Sequence, residues 1–248
     1  MIRLLEDLLS SFQFLTRLPL PSFRAMPDSV SRAAKFFPVV GLVIGLGAAA
    51  LHRILVGITG QHLTALSVLS YLVLVTGGLH EDGLADAADG FGGGWSKDKI
   101  LLIMRDSRIG VFGTIALVLS LLARYTLLTD LAPSQFSSYV VIAHVLCRWT
   151  TLPLGTFLRA AREGEGQGAQ VAQRISRFTL VFGTVVSLAI CFLLLREHMW
   201  LPVAVATTIT ILTGIYYRSQ IGGVTGDCFG ATNQLTEIAI YVCGGLKP

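Results

Sequence analysis

LTALSVLSYLVLVTGGLHEDGLADAADG, residues 63–90, carries the two features that decide how this chain is built. Its first part, Leu63–Leu79, is an apolar run of membrane length. Its second part, His80–Gly90, crowds Glu81, Asp82, Asp86 and Asp89 together, in a chain with only 15 acidic residues. Like charges this close repel unless a cation neutralises them. On a helix Asp82, Asp86 and Asp89 fall at i, i+4 and i+7, within roughly 60° of one another, and Glu81 points elsewhere. Three carboxylates on one stripe suit a hard divalent cation such as Mg²⁺, whose remaining positions take water or phosphate oxygens.

The rest of the chain has the same apolar character. It is 53% hydrophobic and 14% charged, where a soluble domain carries about 25% charged residues. Mean hydropathy is +0.68. Near-membrane-length stretches run over 36–58, 62–79, 109–129, 136–158, 178–195 and 199–217, with a weaker one at 231–246. His52 and Arg53 interrupt the first. The expectation is an all-α, polytopic transmembrane helical bundle of six or seven membrane helices, forming one domain over residues 1–248. Met1–Phe23 contains Glu6 and Asp7 and is expected not to be a secretory signal. Leu4, Leu5, Leu8, Leu9, Phe12 and Leu15 recur there at helical spacing. They predict an N-terminal amphipathic helix, lying on the membrane surface or packed on the bundle.

Lysine and arginine alternate between the hydrophilic segments. Residues 1–35, 80–108 and 159–177 are rich in them, among them Arg24 and Arg174, whereas 59–61 and 130–135 have none. The bias places the N-terminus, the acidic motif, 159–177 and 218–230 on the cytoplasmic side. The net charge of +4 reflects those loops, and no nucleic-acid partner is expected. Cys147, Cys191, Cys228 and Cys243 show no CxxC spacing and read as buried thiols. Gly92–Gly94 should end the acidic helix, and Glu163–Gly168 reads as a linker.

Other polar residues qualify the picture. Arg105 and Arg108, three apart, would share a helix face and grip phosphates, or simply anchor the chain. Asp227 either caps the helix that follows or completes a metal shell. Asn233 and Glu237 lie one turn apart in an apolar segment, and an acid at membrane depth implies a function. Arg148 and Arg124 interrupt apolar runs. Either could snorkel, and Arg148, the deeper by sequence, favours a buried anion partner. Lys35 offers a cation at the membrane surface. His80 reads as a neighbour of the acidic site rather than its base.

Together, Phe14-Leu15-Thr16-Arg17-Leu18-Pro19, Phe37-Pro38-Val39-Val40-Gly41, Glu81-Asp82-Gly83-Leu84-Ala85-Asp86-Ala87-Ala88-Asp89-Gly90, Arg105-Asp106-Ser107-Arg108-Ile109-Gly110 and Gly226-Asp227-Cys228-Phe229-Gly230-Ala231 resemble the cobalamin synthase family, also called adenosylcobinamide-GDP ribazoletransferases. The resemblance runs nearly end to end, in order, and the acidic motif is its most specific part. It implies a bacterial inner-membrane enzyme that joins adenosylcobinamide-GDP to α-ribazole or its 5′-phosphate, with Mg²⁺, releasing GMP. On that reading Asp82, Asp86 and Asp89 are catalytic. They hold Mg²⁺ with Glu81 and Asp227 as further candidate ligands, and Asp89 is the first choice of base. Arg105, Arg108, Arg148, Lys35, Asn233 and Glu237 are the candidate substrate-binding residues. Homo-oligomerisation, or association with other cobalamin-assembly enzymes, stays open. Two alternatives stand beside it. A CDP-alcohol phosphotransferase also places aspartates at a membrane-helix end, but its later aspartate pair and Ala-Arg step are missing here. A membrane transporter would use Asp227 and Glu237 along its pathway.

Overall fold

The computed structural model describes residues 2–20, 29–162 and 175–246. The 163–168 linker, Arg24 and Arg174 lie outside the described residues. Every regular element among the described residues is helical, and the one strand-like pairing is an isolated parallel bridge between Ala160 and Val224. Four stretches, Val30–Thr76, Val111–Asp130, Pro133–Phe157 and Arg177–Ile221, are long and apolar enough to cross a membrane. The chain is a helical membrane protein.

The N-terminal helix α1 (Ile2–Leu15) is amphipathic, as its leucine spacing predicts. It docks on its own protein: Ser11 donates to the Ala33 carbonyl at 2.7 Å, and Phe14 stacks on Phe37 at 5.6 Å. Leu4 and Leu5 stay exposed on its other side. Lys35, in the 3-10 turn Ala34–Phe36 after the short helix α2 (Ser29–Ala33), reaches back to Asp7 at 2.7 Å.

Helix α3 (Phe37–Thr76) has 40 residues, and as a straight rod it would run about 60 Å, twice the ~30 Å hydrocarbon core. It does not run straight. Gly60 takes φ 74°, ψ 166°, a conformation essentially confined to glycine. The two arms fold back on each other, so that a methyl at Gly47 would collide with the Tyr71 phenol. Residues that far apart would be separated by about 36 Å along a continuous helix. The apolar run ends earlier than its hydropathy suggests. Gly77 and Gly78 both have left-handed backbones (φ 64° and 71°), which close α3 and let α4 (Leu79–Gly93) start in a new direction.

After α4 come α5 (Lys97–Ile103), α6 (Val111–Asp130), α7 (Pro133–Trp149) and α8 (Thr151–Phe157). A second hairpin follows: α9 (Arg177–Leu195), a 3-10 turn at Arg196–Met199, and α10 (Trp200–Ile221). With the breaks at Gly60 and at this turn, the four apolar stretches resolve into six passes. The last helix, α11 (Gly226–Gly245), is different in kind. Thr232, Asn233, Gln234, Thr236 and Glu237 are all buried on it. It packs against α4, α6, α7 and α10 and forms the polar axis of the bundle.

Candidate active site

Helices α4 and α11 cross with their backbones in contact. A Cβ at Gly83 would lie 3.1 Å from the Gly230 Cα and 3.2 Å from the Asp227 Cα. Glycine at both positions allows this approach without displacing either backbone, and it sets Asp82 and Asp86 of α4 beside Asp227 in the first turn of α11. Neither α4 nor this turn belongs to the four membrane-length stretches. Asp82 is exposed, whereas Asp86 and Asp227 are half-buried.

The crowding has an electrostatic consequence. Burial, then the negative charges of Asp82, Asp227 and Asp89, push the Asp86 carboxyl up to about 7, with Arg162 opposing them. Burial also raises Asp227, against the pull of the Arg162 guanidinium and a hydrogen bond from Thr225. Arg162 Nη2 stands 3.3 Å from Asp227 Oδ2, and its Nη1 donates to the Leu101 carbonyl at 3.4 Å. Asp227 does not cap α11. Thr225 does, accepting from the Cys228 amide, and it also donates to Asp227.

The other predicted carboxylates go elsewhere. Asp89 lies on the predicted stripe, but its oxygens accept the amides of Gly110 (2.6 Å) and Gly113 (2.8 Å) at the start of α6. It ties α4 to the positive end of that helix. Glu81 turns into the bundle, where Oε1 sits 2.9 Å from Arg124 Nη2 and accepts from Gln234. Arg124 Nη1 lies 3.5 Å from Glu237 Oε1, Tyr241 donates to the same oxygen at 3.1 Å, and His144 meets the Tyr241 hydroxyl at 3.2 Å. A buried polar chain therefore joins α4, α6, α11 and α7. Asn233 belongs to its surroundings, donating to the Cys147 carbonyl at 2.9 Å.

The candidate cations divide in the same way. Lys35 is committed to Asp7. Arg105 and Arg108 do not share a helix face: α5 ends at Ile103, and Arg108 pairs with its own neighbour Asp106 at 2.7 Å in an exposed turn. Arg148 is buried, but among the described residues its close partner is His144 Nδ1 at 2.6 Å, not a carboxylate. The buried anions sit with Arg124 instead, because α4 and α11 present Glu81 and Glu237 to α6. Arg162, His144 and Tyr241 carried no sequence signal, since their partners lie far away in the chain.

Among the described residues no three His, Cys, Asp or Glu side chains converge tightly on one point as they stand. The Asp82–Asp86–Asp227 group nevertheless fits a divalent cation by its chemistry. Its donors are all carboxylate oxygens, and burial together with their mutual repulsion, opposed by Arg162, raises the Asp86 carboxyl to about 7.

Comparison with known proteins bears on what such a site serves. The model of the cobalamin-5-phosphate synthase family matches residues 7–245. The chain belongs to the cobalamin-5-phosphate synthase family. Its relatives include proteins named adenosylcobinamide-GDP ribazoletransferase from three bacteria. That of Prosthecochloris aestuarii is 37% identical over 98% of each chain. That of Leptospira interrogans is 35% identical over 94% of this chain and 92% of its own. That of a Sinorhizobium species is 36% identical over 95% and 94%. No solved structure matches the chain. As a member of the cobalamin-5-phosphate synthase family, the protein is an enzyme, a transferase of cobalamin biosynthesis.

Proposed function

We propose that the protein transfers adenosylcobinamide phosphate from adenosylcobinamide-GDP to α-ribazole or its 5′-phosphate, releasing GMP. The reaction runs at the cytoplasmic face of a bacterial inner membrane, with Mg²⁺. The observation that carries this reading is the proximity of Asp82, Asp86 and Asp227 to one another and to Arg162, at the crossing of α4 and α11. The names of the relatives supply the substrates.

Asp82, Asp86 and Asp227 would hold the ion. When bound it offsets negative charge on the pyrophosphate and on the departing GMP. In the reaction a ribose hydroxyl attacks the cobinamide-linked phosphorus, and the bond to the bridging oxygen breaks. Arg162, already beside Asp227, is placed to bind a non-bridging oxygen. The hydroxyl proton passes to a carboxylate oxygen. Both Asp89 oxygens already accept α6 amides. Asp82, the exposed member of the group, is open to substrate and to water. Asp89 and the Glu81–Arg124–Glu237 chain hold the framework on which the site sits.

The test is turnover by purified protein in nanodiscs, following corrinoid product and GMP. Wild type should form both only with Mg²⁺. Asp86→Asn and Asp227→Asn should each lose about 10³-fold in rate, several kcal/mol of transition-state stabilisation. Full activity in both variants would move the ion site elsewhere. No product from folded wild type would remove the proposed substrates.

A further inference from the structure

We infer that the cleft between α9 and α10 binds an anionic phospholipid, with one acyl chain in the cleft and the headgroup on Arg218, Arg159 and Lys97. The cleft encloses about 640 Å³. It lies at the end of the hairpin away from the Arg196–Met199 turn, and Val181, Val185, Ile211 and Ile215 line it with exposed apolar side chains. From Thr207 to Arg218 it follows α10 for about 16 Å, half of the ~30 Å hydrocarbon core and so the depth of one leaflet.

Short of Arg218, the side-chain polar groups of the cleft have partners within the protein. Trp149 Nε1 donates to Thr184 at 2.9 Å, and Thr207 and Thr210 donate to carbonyls one turn back, each at 2.7 Å. Short of Arg218, each of these side-chain polar groups already has a partner, which suits a plain hydrocarbon chain and not a polar ring or an amide.

At the end of α10 the chemistry reverses. Arg218 lines the cleft itself. One turn on, a Cβ at Gly222 would lie 3.7 Å from Arg159 Nη2 and 3.8 Å from Lys97 Nζ. Arg159 is held in place by donating to the Gly222 carbonyl at 3.1 Å, and by the Ala160–Val224 bridge beside it. Among the described residues none of the three cations forms an ion pair. An apolar slot one leaflet deep that ends in three cations without an ion pair among the described residues matches a ligand with a hydrocarbon tail and an anionic head.

Trp149 lines the cleft and reports on its occupant. The other two tryptophans, Trp95 and Trp200, are 96% and 67% exposed, and changing both to Phe leaves Trp149 as the sole tryptophan, excited apart from the tyrosines at the red edge of the absorption band. The full-length protein is placed in a series of phosphatidylcholine nanodiscs containing increasing fractions of mid-chain-brominated phosphatidylglycerol or brominated phosphatidylcholine. The glycerol lipid should quench Trp149 at lipid fractions at least about fivefold lower, the factor one interfacial Arg or Lys contributes to anionic-lipid affinity. Arg218→Gln with Arg159→Gln, both at exposed positions, should bring the two curves together, and high salt should do the same to the unsubstituted pair. Equal quenching before these changes would overturn the inference, as would a preference that survives them. Relief of quenching by α-ribazole 5′-phosphate would assign the cleft to a substrate and overturn it too. Because the readout is lipid contact and not turnover, it stands or falls separately from the proposed reaction.

Discussion

Burial and the charges of Asp82, Asp227 and Asp89 push the Asp86 carboxyl from 3.8 up to about 7. The raised value sets a direction for stability. Between 3.8 and about 7 the folded protein holds a proton that the unfolded chain has lost. Stability of the ion-free protein therefore falls as pH rises through that window, and is level above it. Cation binding runs the other way, because it must displace this proton. Below pH 7, apparent Mn²⁺ affinity should climb by up to about tenfold per pH unit and then flatten. Unfolding midpoints and Mn²⁺ electron paramagnetic resonance across this range check both halves, with Asp86→Asn removing the slope and weakening the ion. A flat Mn²⁺ titration in wild type would exclude Asp86 as a ligand. The Asp82–Asp86 spacing and the departure of Glu81 from their stripe were legible in the sequence, since both follow from helix periodicity. The fate of Asp89 was not. Angular position put it on the stripe, but two amides more than twenty residues away captured its oxygens.

For α6 and α9 the helix boundaries followed the hydropathy closely, whereas helix partners did not follow from it. Runs predicted at 178–195 and 109–129 became α9 (Arg177–Leu195) and α6 (Val111–Asp130) within two residues at each end. What no local pattern discloses is that Arg124, on α6, spans two acids from α4 and α11. Snorkelling and burial look alike in a sequence, and only the packing decides between them. The pairing makes a prediction at this scale. Arg124→Met strands Glu81 and Glu237 without their cation, and should cost about 3–5 kcal/mol. Adding Glu81→Gln and Glu237→Gln should restore most of that loss, because the three elements then meet without unbalanced charge. Thermal unfolding in detergent of the single and triple variants measures it. A single variant as stable as wild type would mean that Arg124 does not join the three helices.

The arrangement of the whole molecule follows from which surfaces each helix must satisfy. Helices facing lipid need apolar exteriors, and α6, α9 and α10 have them. Helix α11 packs against α4, α6, α7 and α10 and can carry Asn233, Gln234 and Glu237 on its buried faces, so its hydropathy was the weakest of the runs. The same logic predicts a sidedness that labelling can test. The two arms of α3 are joined at Gly60, and α9 and α10 at Arg196–Met199. These tight connections hold few cations, whereas the segments after α4 and α8 hold Lys97, Lys99, Arg105, Arg108, Arg159 and Arg162. Six passes then put Gln61, Ala132 and His198 on one side, and Trp95 and Ser107 on the other with the Asp82–Asp86–Asp227 group. All four cysteines are buried, and their replacement by alanine provides a background for single exposed cysteines. A membrane-impermeant maleimide applied to intact spheroplasts should label Gln61→Cys, Ala132→Cys and His198→Cys, and should reach Trp95→Cys and Ser107→Cys only after permeabilisation. Labelling of Ser107→Cys in intact cells would place the carboxylates outside, where the cell supplies no nucleotide-activated substrate, and would undo the proposed reaction along with the topology.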